Sequence, residues 1–267
     1  MNPRLIPHEY TPSPDVLSGK VLLITGAGDG IGAATAQACA AAGATVILLG
    51  RTLAKLERIY DRITEAGHAQ PAIYPMNLEG AAPKDYQDLA SVVENEFGQL
   101  NGLIHNASSA GTVTPIEQYN PDLWHQVIQV NLNAPFMLTA SCLPLMIGSG
   151  DARIIFMSDR ILEPHRPYWG AYAASKFGQY GLMCTIAAEG ALRDGLWVNA
   201  YYPGAVNTRF RTNAYPGIDP EQWPGPDTIT NDFLYLLGSE EAKTNGEVYV
   251  RENAAPAVPD ALQVDGG

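Results

Sequence analysis

The chain has 267 residues, of which 46% are hydrophobic and 16% charged, and its formal net charge is −12. This length and apolar content suit one large open α/β domain. A strongly acidic surface repels phosphate backbones and anionic lipid, so the charge argues against nucleic acids and membranes as partners, although a few N–H groups and one arginine can still hold a small nucleotide.

The chain begins with a proline-rich arm, residues 1–17, which has no apolar signal-peptide core. We expect this arm to be extended along the surface or frayed. After it, short apolar runs alternate with segments of helical pattern. The predicted strands are 21–25, 44–50, 71–77, 102–107, 152–158, 196–204 and 246–250, and the predicted helices are 30–43, 52–67, 83–98, 121–146, 170–194 and 227–238.

Strands that alternate with helices predict βαβ units and a parallel sheet. We therefore predict an α/β protein with a single doubly wound Rossmann domain, residues 18–250, whose seven-stranded parallel sheet carries helices on both faces. The segment 205–226 is dense in proline and glycine and is predicted to be an irregular lid over a substrate site. Residues 251–267 are predicted to be a C-terminal tail.

The cysteine and histidine residues give little sign of disulfide bonds or of a metal site. Cys39, Cys142 and Cys184 are scattered and odd in number, which favours small core residues in a reduced, cytoplasmic compartment. The histidines have no metal-ligand spacing, so no metal site is predicted. No stretch approaches the ~20 apolar residues that span a bilayer, and we expect a protein that does not insert into membranes.

A glycine-rich turn, TGAGDGIG at 25–32, joins the first predicted strand to the first helix. Gly26 permits a tight turn, Gly30 lets backbone approach a pyrophosphate, and Gly32 allows close helix packing. The helix N-terminus adds N–H groups and a positive dipole. We predict a dinucleotide site lined by Gly26, Gly28, Asp29, Gly30, Ile31 and Gly32.

The residues after the second predicted strand bear on which cofactor fits. An acidic side chain there would accept a hydrogen bond from the ribose 2′-OH of NAD, but the sequence has Gly50-Arg51-Thr52. The Arg51 guanidinium can pair with a 2′-phosphate, so NADP(H) is predicted over NAD(H). The alternative is that Arg51 is a solvated surface residue. Asp29 slightly opposes a cofactor with this extra phosphate.

A phenol and an ammonium, Tyr172 and Lys176, stand four residues apart and so share one helix face. With T-G-x-x-x-G-x-G at 25–32, H-N-A at 105–107, Asn131, Y-x-x-x-K at 172–176 and P-G-x-x-x-T at 203–208, the chain resembles the short-chain dehydrogenase/reductase family over roughly residues 18–250. It is most similar to a bacterial subgroup resembling 3-oxoacyl-(acyl carrier protein) reductases, which have similar F-M-L-T and W-G-A-Y-A-A-S-K-F stretches.

The resemblance implies a role for each matching residue. Tyr172 would be the general acid or base at a carbonyl oxygen. Lys176, together with the positive nicotinamide in the oxidised complex, would lower the pKa of Tyr172, and it would also bind the nicotinamide ribose. Asn131 would hold a water that links Lys176 to solvent. Asn106 and Ala107 would line the adenosine and ribose side, and Thr208 would contact the carboxamide. The implied cofactor site also includes Asn77, Leu78, Pro203, Gly204 and Val206.

The sequence departs from the family at the active-site serine, which usually stands thirteen residues before the tyrosine. Here that position is Asp159, and Ser158 stands fourteen before Tyr172. A carboxylate cannot donate to a developing oxyanion, and it would raise the pKa of the phenol. Three outcomes fit: a slip of the strand end brings Ser158 to the tyrosine, Asp159 faces the substrate as a hydrogen-bond acceptor, or the protein binds cofactor but turns over poorly.

The substrate pocket is predicted from 108–114, 159–169 and the lid. Its aromatic residues suggest an apolar or ring-bearing substrate, or alternatively a lid that packs on the protein itself; they are Tyr168, Trp169, Phe210, Tyr215 and Trp223. Four arginines could meet an anionic group, namely Arg160, Arg166, Arg209 and Arg211.

The sequence therefore predicts an NADP(H)-dependent oxidoreductase for a carbonyl or secondary alcohol, 3-oxoacyl substrates included. The alternative is a weak or inactive nucleotide-binding protein, for example a redox sensor or a partner subunit. The helices at 121–146 and 170–194 resemble those that pair across two-fold axes in the family, which implies a homodimer or homotetramer.

Overall fold

The computed structural model describes residues 3–159 and 167–251. Within them, eight strands form one fully parallel sheet. The strands are β1 (Arg4–Ile6), β2 (Val21–Thr25), β3 (Thr45–Gly50), β4 (Ala72–Pro75), β5 (Gly102–His105), β6 (Ala152–Met157), β7 (Leu196–Tyr202) and β8 (Val248–Arg251). Their order across the sheet is β1-β8-β7-β6-β5-β2-β3-β4.

Helices cover both faces of the sheet, as predicted for a doubly wound fold. In the described residues they are α1 (Gly30–Ala41), α2 (Leu53–Glu65), α3 (Pro83–Phe97), α4 (Pro121–Ile128), α5 (Ala134–Gly148), α6 (Gly170–Gly190), α7 (Arg209–Ala214) and α8 (Thr230–Gly238). One apolar core joins the sheet to α1, α2 and α8, and another joins it to α3, α5 and α6. The predicted Rossmann architecture is confirmed.

The sheet has one strand more than predicted, and this strand comes from the N-terminal arm. Residues Arg4–Ile6 pair in parallel with β8, with Arg4 opposite Tyr249, and Ile6 is buried. These residues are extended, and Arg4 and Leu5 are exposed, but they pair with the sheet as an edge strand and are not frayed. Prolines are tolerated at sheet edges, so the proline-rich composition did not exclude a short edge strand. Residues 252–267, most of the predicted tail, lie outside the described part.

The predicted helix at 121–146 is interrupted. A π turn, Gln129–Asn133, separates α4 from α5. Such a turn inserts an extra residue into the helical ladder and often marks a functional position. The whole run Pro121–Gly148 is long and apolar enough to cross a membrane by length and composition alone, which the sequence reading missed. Core helices pass the same test, and α5 packs against α3 in the second apolar core.

The predicted lid, 205–226, is less irregular than expected. It contains α7 and a 3₁₀ turn at Pro220–Gln222. Thr208 is the N-cap of α7, and its side chain accepts a hydrogen bond from the Arg211 N–H at 3.3 Å. Three side chains of this segment are buried together as a small apolar cluster, namely Ala205, Ile218 and Trp223.

Candidate active site

The glycine-rich turn packs so tightly that side chains are excluded from it. A Cβ on Gly32 would lie 2.4 Å from the Gly26 carbonyl oxygen and 2.5 Å from the Asn106 side-chain nitrogen. Gly26 has φ +70°, and a Cβ there would lie 3.1 Å from the Ala107 Cα. The start of α1 therefore presses against the turn and against the end of β5, which leaves the first N–H groups of the helix at the carboxyl edge of the sheet.

Thr25 and Asn106 lock this turn to the end of β5. The Thr25 hydroxyl accepts from the N–H groups of Asn106 at 3.0 Å and Ala107 at 2.9 Å, and donates to the Ile104 carbonyl at 3.2 Å. The Asn106 amide donates to the Thr25 carbonyl at 2.8 Å. Asn106 and Ala107 thus lie beside the turn, and Thr25 supports both of them. Sequence reasoning gave Thr25 no role.

Asp29 is the N-cap of α1 and accepts from the Gly30 N–H at 2.9 Å. Its other carboxylate oxygen pairs with the Lys55 ammonium, and this hydrogen bond holds the pKa of Asp29 below its usual range. The charge that was expected to oppose a second phosphate is therefore balanced by Lys55, a residue that the sequence reading did not single out. Arg51 is exposed at the end of β3.

The other residues predicted to bind cofactor also lie where strands end. Gly204 follows β7 with φ +79°, and Val206 is buried just beyond it. The Thr208 side chain lies close to the glycine turn. If Gly30 carried a Cβ, that atom would lie 3.2 Å from the Thr208 Cγ2. Asn77 follows β4, and its side chain accepts from the Glu79 N–H at 3.3 Å.

Asp159, not Ser158, contacts the tyrosine. The Tyr172 hydroxyl donates to an Asp159 carboxylate oxygen at 2.8 Å. The Ser158 N–H continues the ladder between β6 and β7 by donating to the Tyr201 carbonyl at 2.7 Å, and the Ser158 hydroxyl donates to the Asp159 carbonyl at 3.1 Å. The slip that would bring Ser158 to Tyr172 is wrong, because pairing with β7 fixes the register of the strand end.

Burial is the largest cause of the pKa shifts of Tyr172 and Lys176. It raises the pKa of Tyr172 well above the usual value, and the charge and hydrogen bond of Asp159 raise it further, against Arg211. Burial lowers the pKa of Lys176 to about 8, although Asp159 opposes this shift. The prediction that Lys176 and the positive nicotinamide together favour the phenolate concerns the complex with oxidised cofactor and stays a prediction. In the protein without cofactor the phenol keeps its proton, and its raised pKa makes it a weaker acid.

Lys176 belongs to a buried hydrogen-bonded chain. Its ammonium donates to the Met157 carbonyl at 2.7 Å and to the Gln179 side-chain oxygen at 3.2 Å. The Gln179 side-chain nitrogen then donates to the Asn131 carbonyl at 3.0 Å. Sequence reasoning missed Gln179, yet its position three residues after Lys176 on one helix was a signal that the two side chains could meet.

The Asn131 side chain lies at the π turn and holds the loop after β5. Its oxygen accepts from the Ser109 N–H at 2.7 Å and from the Ser108 hydroxyl at 3.3 Å. Its nitrogen donates to the Ser109 carbonyl at 2.8 Å and to the Ser175 hydroxyl at 2.9 Å. This amide therefore fixes the 108–109 backbone against α6.

Aromatic side chains pack over the phenol. Ring centroids of Trp169 and Phe210 lie 5.3 and 5.5 Å from that of Tyr172, and Tyr215 lies 5.9 Å from Trp169. Tyr215 in turn contacts Trp223. Of the predicted arginines, Arg211 stacks on Tyr215, whereas Arg160 and Arg166 lie outside the described residues. The packing of these rings on one another fits the alternative in which the lid closes on the protein itself.

Across residues 3–159 and 167–251, no group of three or more His, Cys, Asp or Glu side chains could hold a metal ion. Cys39 and Cys142 are buried thiols, and Cys184 is partly buried. Burial lowers the pKa of His105 to about 3, with the Lys176 charge as a smaller cause, so this histidine is a neutral core residue.

The buried Lys176 ammonium predicts a pH-dependent stability. Because its pKa is about 8 in the folded chain and ~10.4 when unfolded, the unfolded chain binds one more proton between these values, and the free energy of unfolding rises with pH there. As the pH rises through this window, the free energy of unfolding of the wild type should increase by on the order of 3 kcal/mol relative to that of Lys176→Met. Urea unfolding measures both values. Lys84→Met, at an exposed lysine, should show no such gain; a flat Lys176 difference would contradict the prediction.

Known proteins resemble this chain along most of its length. A family model described as short chain dehydrogenase matches residues 20–218. The uncharacterized oxidoreductase YciK of Escherichia coli K12 is 38% identical over 240 residues, covering 90% of this chain and 94% of its own. A 3-oxoacyl-[acyl-carrier-protein] reductase of Thermotoga maritima is 30% identical, covering 87% and 96%.

Solved structures agree as well. The structure of a short chain dehydrogenase from Escherichia coli CFT073 complexed with NADPH is 38% identical, with a TM-score of 0.86, and covers 93% of this chain and all of its own. The fold is thus matched by relatives along most of the chain. The chain belongs to the short-chain dehydrogenase family of oxidoreductases.

Proposed function

We propose that the protein is an NADP(H)-dependent oxidoreductase that interconverts a carbonyl group and a secondary alcohol. The observation that carries this proposal is the buried Tyr172–Lys176 pair on α6, next to the end of β6 and on the same edge of the parallel sheet as the glycine turn. Nucleotides bind at this edge in open α/β folds. A protonated phenol held there is a proton donor for the oxygen of a substrate that accepts hydride.

The residues present fit a pyridine nucleotide. The close packing at Gly26 and Gly32 leaves backbone N–H groups exposed to a pyrophosphate, and Arg51 would pair with a 2′-phosphate. Lys176 would hold the nicotinamide ribose, and Thr208 would lie at the carboxamide. When bound, NADPH supplies the hydride. Relatives solved with NADP or NADPH support this choice of cofactor.

The chain's own residues handle the proton. In reduction, Tyr172 gives its phenol proton to the substrate oxygen as that oxygen becomes an alkoxide. Trp169 and Phe210 exclude water from the phenol and offer an apolar wall to the substrate. Asp159 presents a carboxylate beside the reacting oxygen, so substrates with a second hydroxyl or an amine should be favoured over plain ketones. A 3-oxoacyl substrate is one member of the carbonyl class to be tested.

The competing function is a nucleotide-binding protein with weak or no turnover, and the Tyr172–Asp159 hydrogen bond favours it, since the phenol proton already has an acceptor. Assays of NADPH oxidation with carbonyls, and of NADP⁺ reduction with the matching alcohols, separate the two functions. Turnover of a carbonyl supports the enzyme, whereas nucleotide binding without turnover across the set supports the alternative.

Arg51 tests the choice of cofactor. We expect Arg51→Ala to weaken NADPH binding by about tenfold to a hundredfold, because a charge-assisted pair with a phosphate is worth about 1.5–3 kcal/mol, while NADH binding changes by less than about twofold. Nucleotide titration followed by fluorescence measures both affinities. Arg193→Ala, which removes the same charge at an exposed distant site, is the control. Equal losses for the two nucleotides would refute the role.

We also propose that the protein is a cytoplasmic homodimer or homotetramer that pairs through α5 and α6. Phe136 on α5 and Phe177 on α6 are 55% and 42% exposed, which is unusual for phenylalanine in a helical layer. Burial of such side chains against a second copy would stabilise the assembly. Light scattering of the purified protein gives the count of subunits.

A further inference from the structure

Gln179 connects Lys176 and Asn131, two residues that the family resemblance links through a water. That water would be held by Asn131 and would link Lys176 to solvent. Here the Gln179 oxygen accepts from the Lys176 ammonium at 3.2 Å, and the Gln179 nitrogen donates to the Asn131 carbonyl at 3.0 Å. Gln179 is 2% exposed and Asn131 is fully buried. The amide thus joins the two groups that the water would join.

An amide is a poor replacement for water in proton transfer. A water accepts and donates through one oxygen, so a proton that arrives on one side can leave on the other. The Gln179 amide accepts at its oxygen and donates at its nitrogen, and passing a proton between these atoms requires the high-energy imidic acid form. The Asn131 side chain is engaged with Ser109 and Ser175. The route through Lys176 is therefore interrupted at Gln179.

A second route begins on the other side of the phenol. Asp159 accepts the Tyr172 hydroxyl hydrogen at 2.8 Å and is only partly buried, so it lies between the phenol and solvent. A carboxylate accepts a proton and, once protonated, donates it from the same group. Among the described residues, Arg211 from α7 and Tyr215 after it act on Tyr172, and Asp159 acts on Lys176 of α6.

We propose that Asp159 exchanges the Tyr172 proton with solvent, and that Gln179 is a positioning residue that fixes Lys176 and closes the route through Asn131. The proposal rests on the proposed function. In reduction, the phenol O–H bond breaks as its proton moves to the substrate alkoxide, and the Asp159 carboxylic acid then gives its proton to the phenolate. The Asp159 carboxylate regains a proton from solvent. In oxidation each transfer runs in reverse.

A pair of variants tests the two residues together. Asp159→Ser restores the residue type that the family carries but removes the exchanging group, so kcat should fall by about tenfold or more. Gln179→Ala alone removes an acceptor of the Lys176 ammonium, so it should lower kcat, but by less than Asp159→Ser, since Asp159 still acts. In the double variant, the space left by the amide is polar and admits a water, so we expect kcat to recover to within a few fold of the wild type. A double variant no better than Asp159→Ser would overturn the proposal.

A second measurement needs no turnover. Exchange of the Tyr172 hydroxyl hydrogen with water can be followed by NMR on protein with labelled tyrosine, with Tyr172→Phe to assign the signal. Exchange should slow by about tenfold or more in Asp159→Ser and return in the double variant. Unchanged exchange in Asp159→Ser would refute the route. If exchange behaves as expected while no carbonyl is reduced, the proposed function fails and the proton route stands.

Discussion

Replacing Tyr172 by phenylalanine should lower turnover by about 10²–10⁴-fold, the usual contribution of a positioned proton donor. The substitution removes one oxygen and leaves the ring, which packs against Trp169 and Phe210 at centroid distances of 5.3 and 5.5 Å. We therefore expect nucleotide binding to stay within about threefold, since the glycine turn is untouched. Steady-state kinetics and a nucleotide titration on the same preparation separate the two effects.

The control is Tyr60→Phe, which removes a phenol oxygen on α2 that accepts a hydrogen bond from Gln70. Its kinetics should match those of the wild type. Unchanged turnover in Tyr172→Phe would show that the proton comes from another group, with Asp159 the first candidate because it is hydrogen-bonded to the phenol. A loss of nucleotide binding as large as the loss of turnover would point to a structural role for the phenol.

Alanine at Gly32 should damage both stability and nucleotide binding. Helix propensity alone favours alanine over glycine by about 1 kcal/mol. Against this, the new Cβ would lie 2.4 Å from the Gly26 carbonyl oxygen and 2.5 Å from the Asn106 side chain, and backbone must move to relieve the contact. Overpacking of this kind costs about 1–3 kcal/mol. We expect a net loss of unfolding free energy and at least about tenfold weaker NADPH binding, because the turn opens.

Gly80→Ala is a control without steric conflict, since Gly80 lies in a turn and a Cβ there has open space around it. Urea unfolding of both variants shows whether the contacts of the Gly32 Cβ outweigh the helix propensity of alanine. If Gly32→Ala were as stable as Gly80→Ala and bound nucleotide equally well, the tight approach of α1 to the turn would not be needed for the site.

Local sequence patterns predicted the parts of the site whose geometry depends only on residues close together in the sequence. The turn at 25–32 and the Tyr172–Lys176 spacing carry their geometry within one helix or one strand–turn–helix unit, and both were read from the sequence. The identity of the side chain beside the tyrosine depends on a longer-range contact, because the hydrogen bond from Ser158 to Tyr201 fixes the end of β6. Counting pointed to Asp159, but the sequence could not show which register the strands adopt.

The pKa shift of the tyrosine could not be read from the sequence for a similar reason, since the sequence shows only that Tyr172 and Lys176 are near one another. The burial of Tyr172 depends on the aromatic residues that pack over it, such as Phe210 from the lid. Once water is excluded, desolvation raises the pKa of Tyr172, and Asp159 raises it further.

The pairing of β1 with β8 has a consequence for synthesis of the chain. Arg4 leaves the ribosome well before its partner Tyr249, which follows 245 positions later in the chain. The arm must therefore wait, unpaired, while the other described strands assemble, and the outer edge of β8 is completed last. A bulky group fused next to Arg4–Ile6 would hinder the pairing of β1 with β8, so a purification tag is better placed away from these residues.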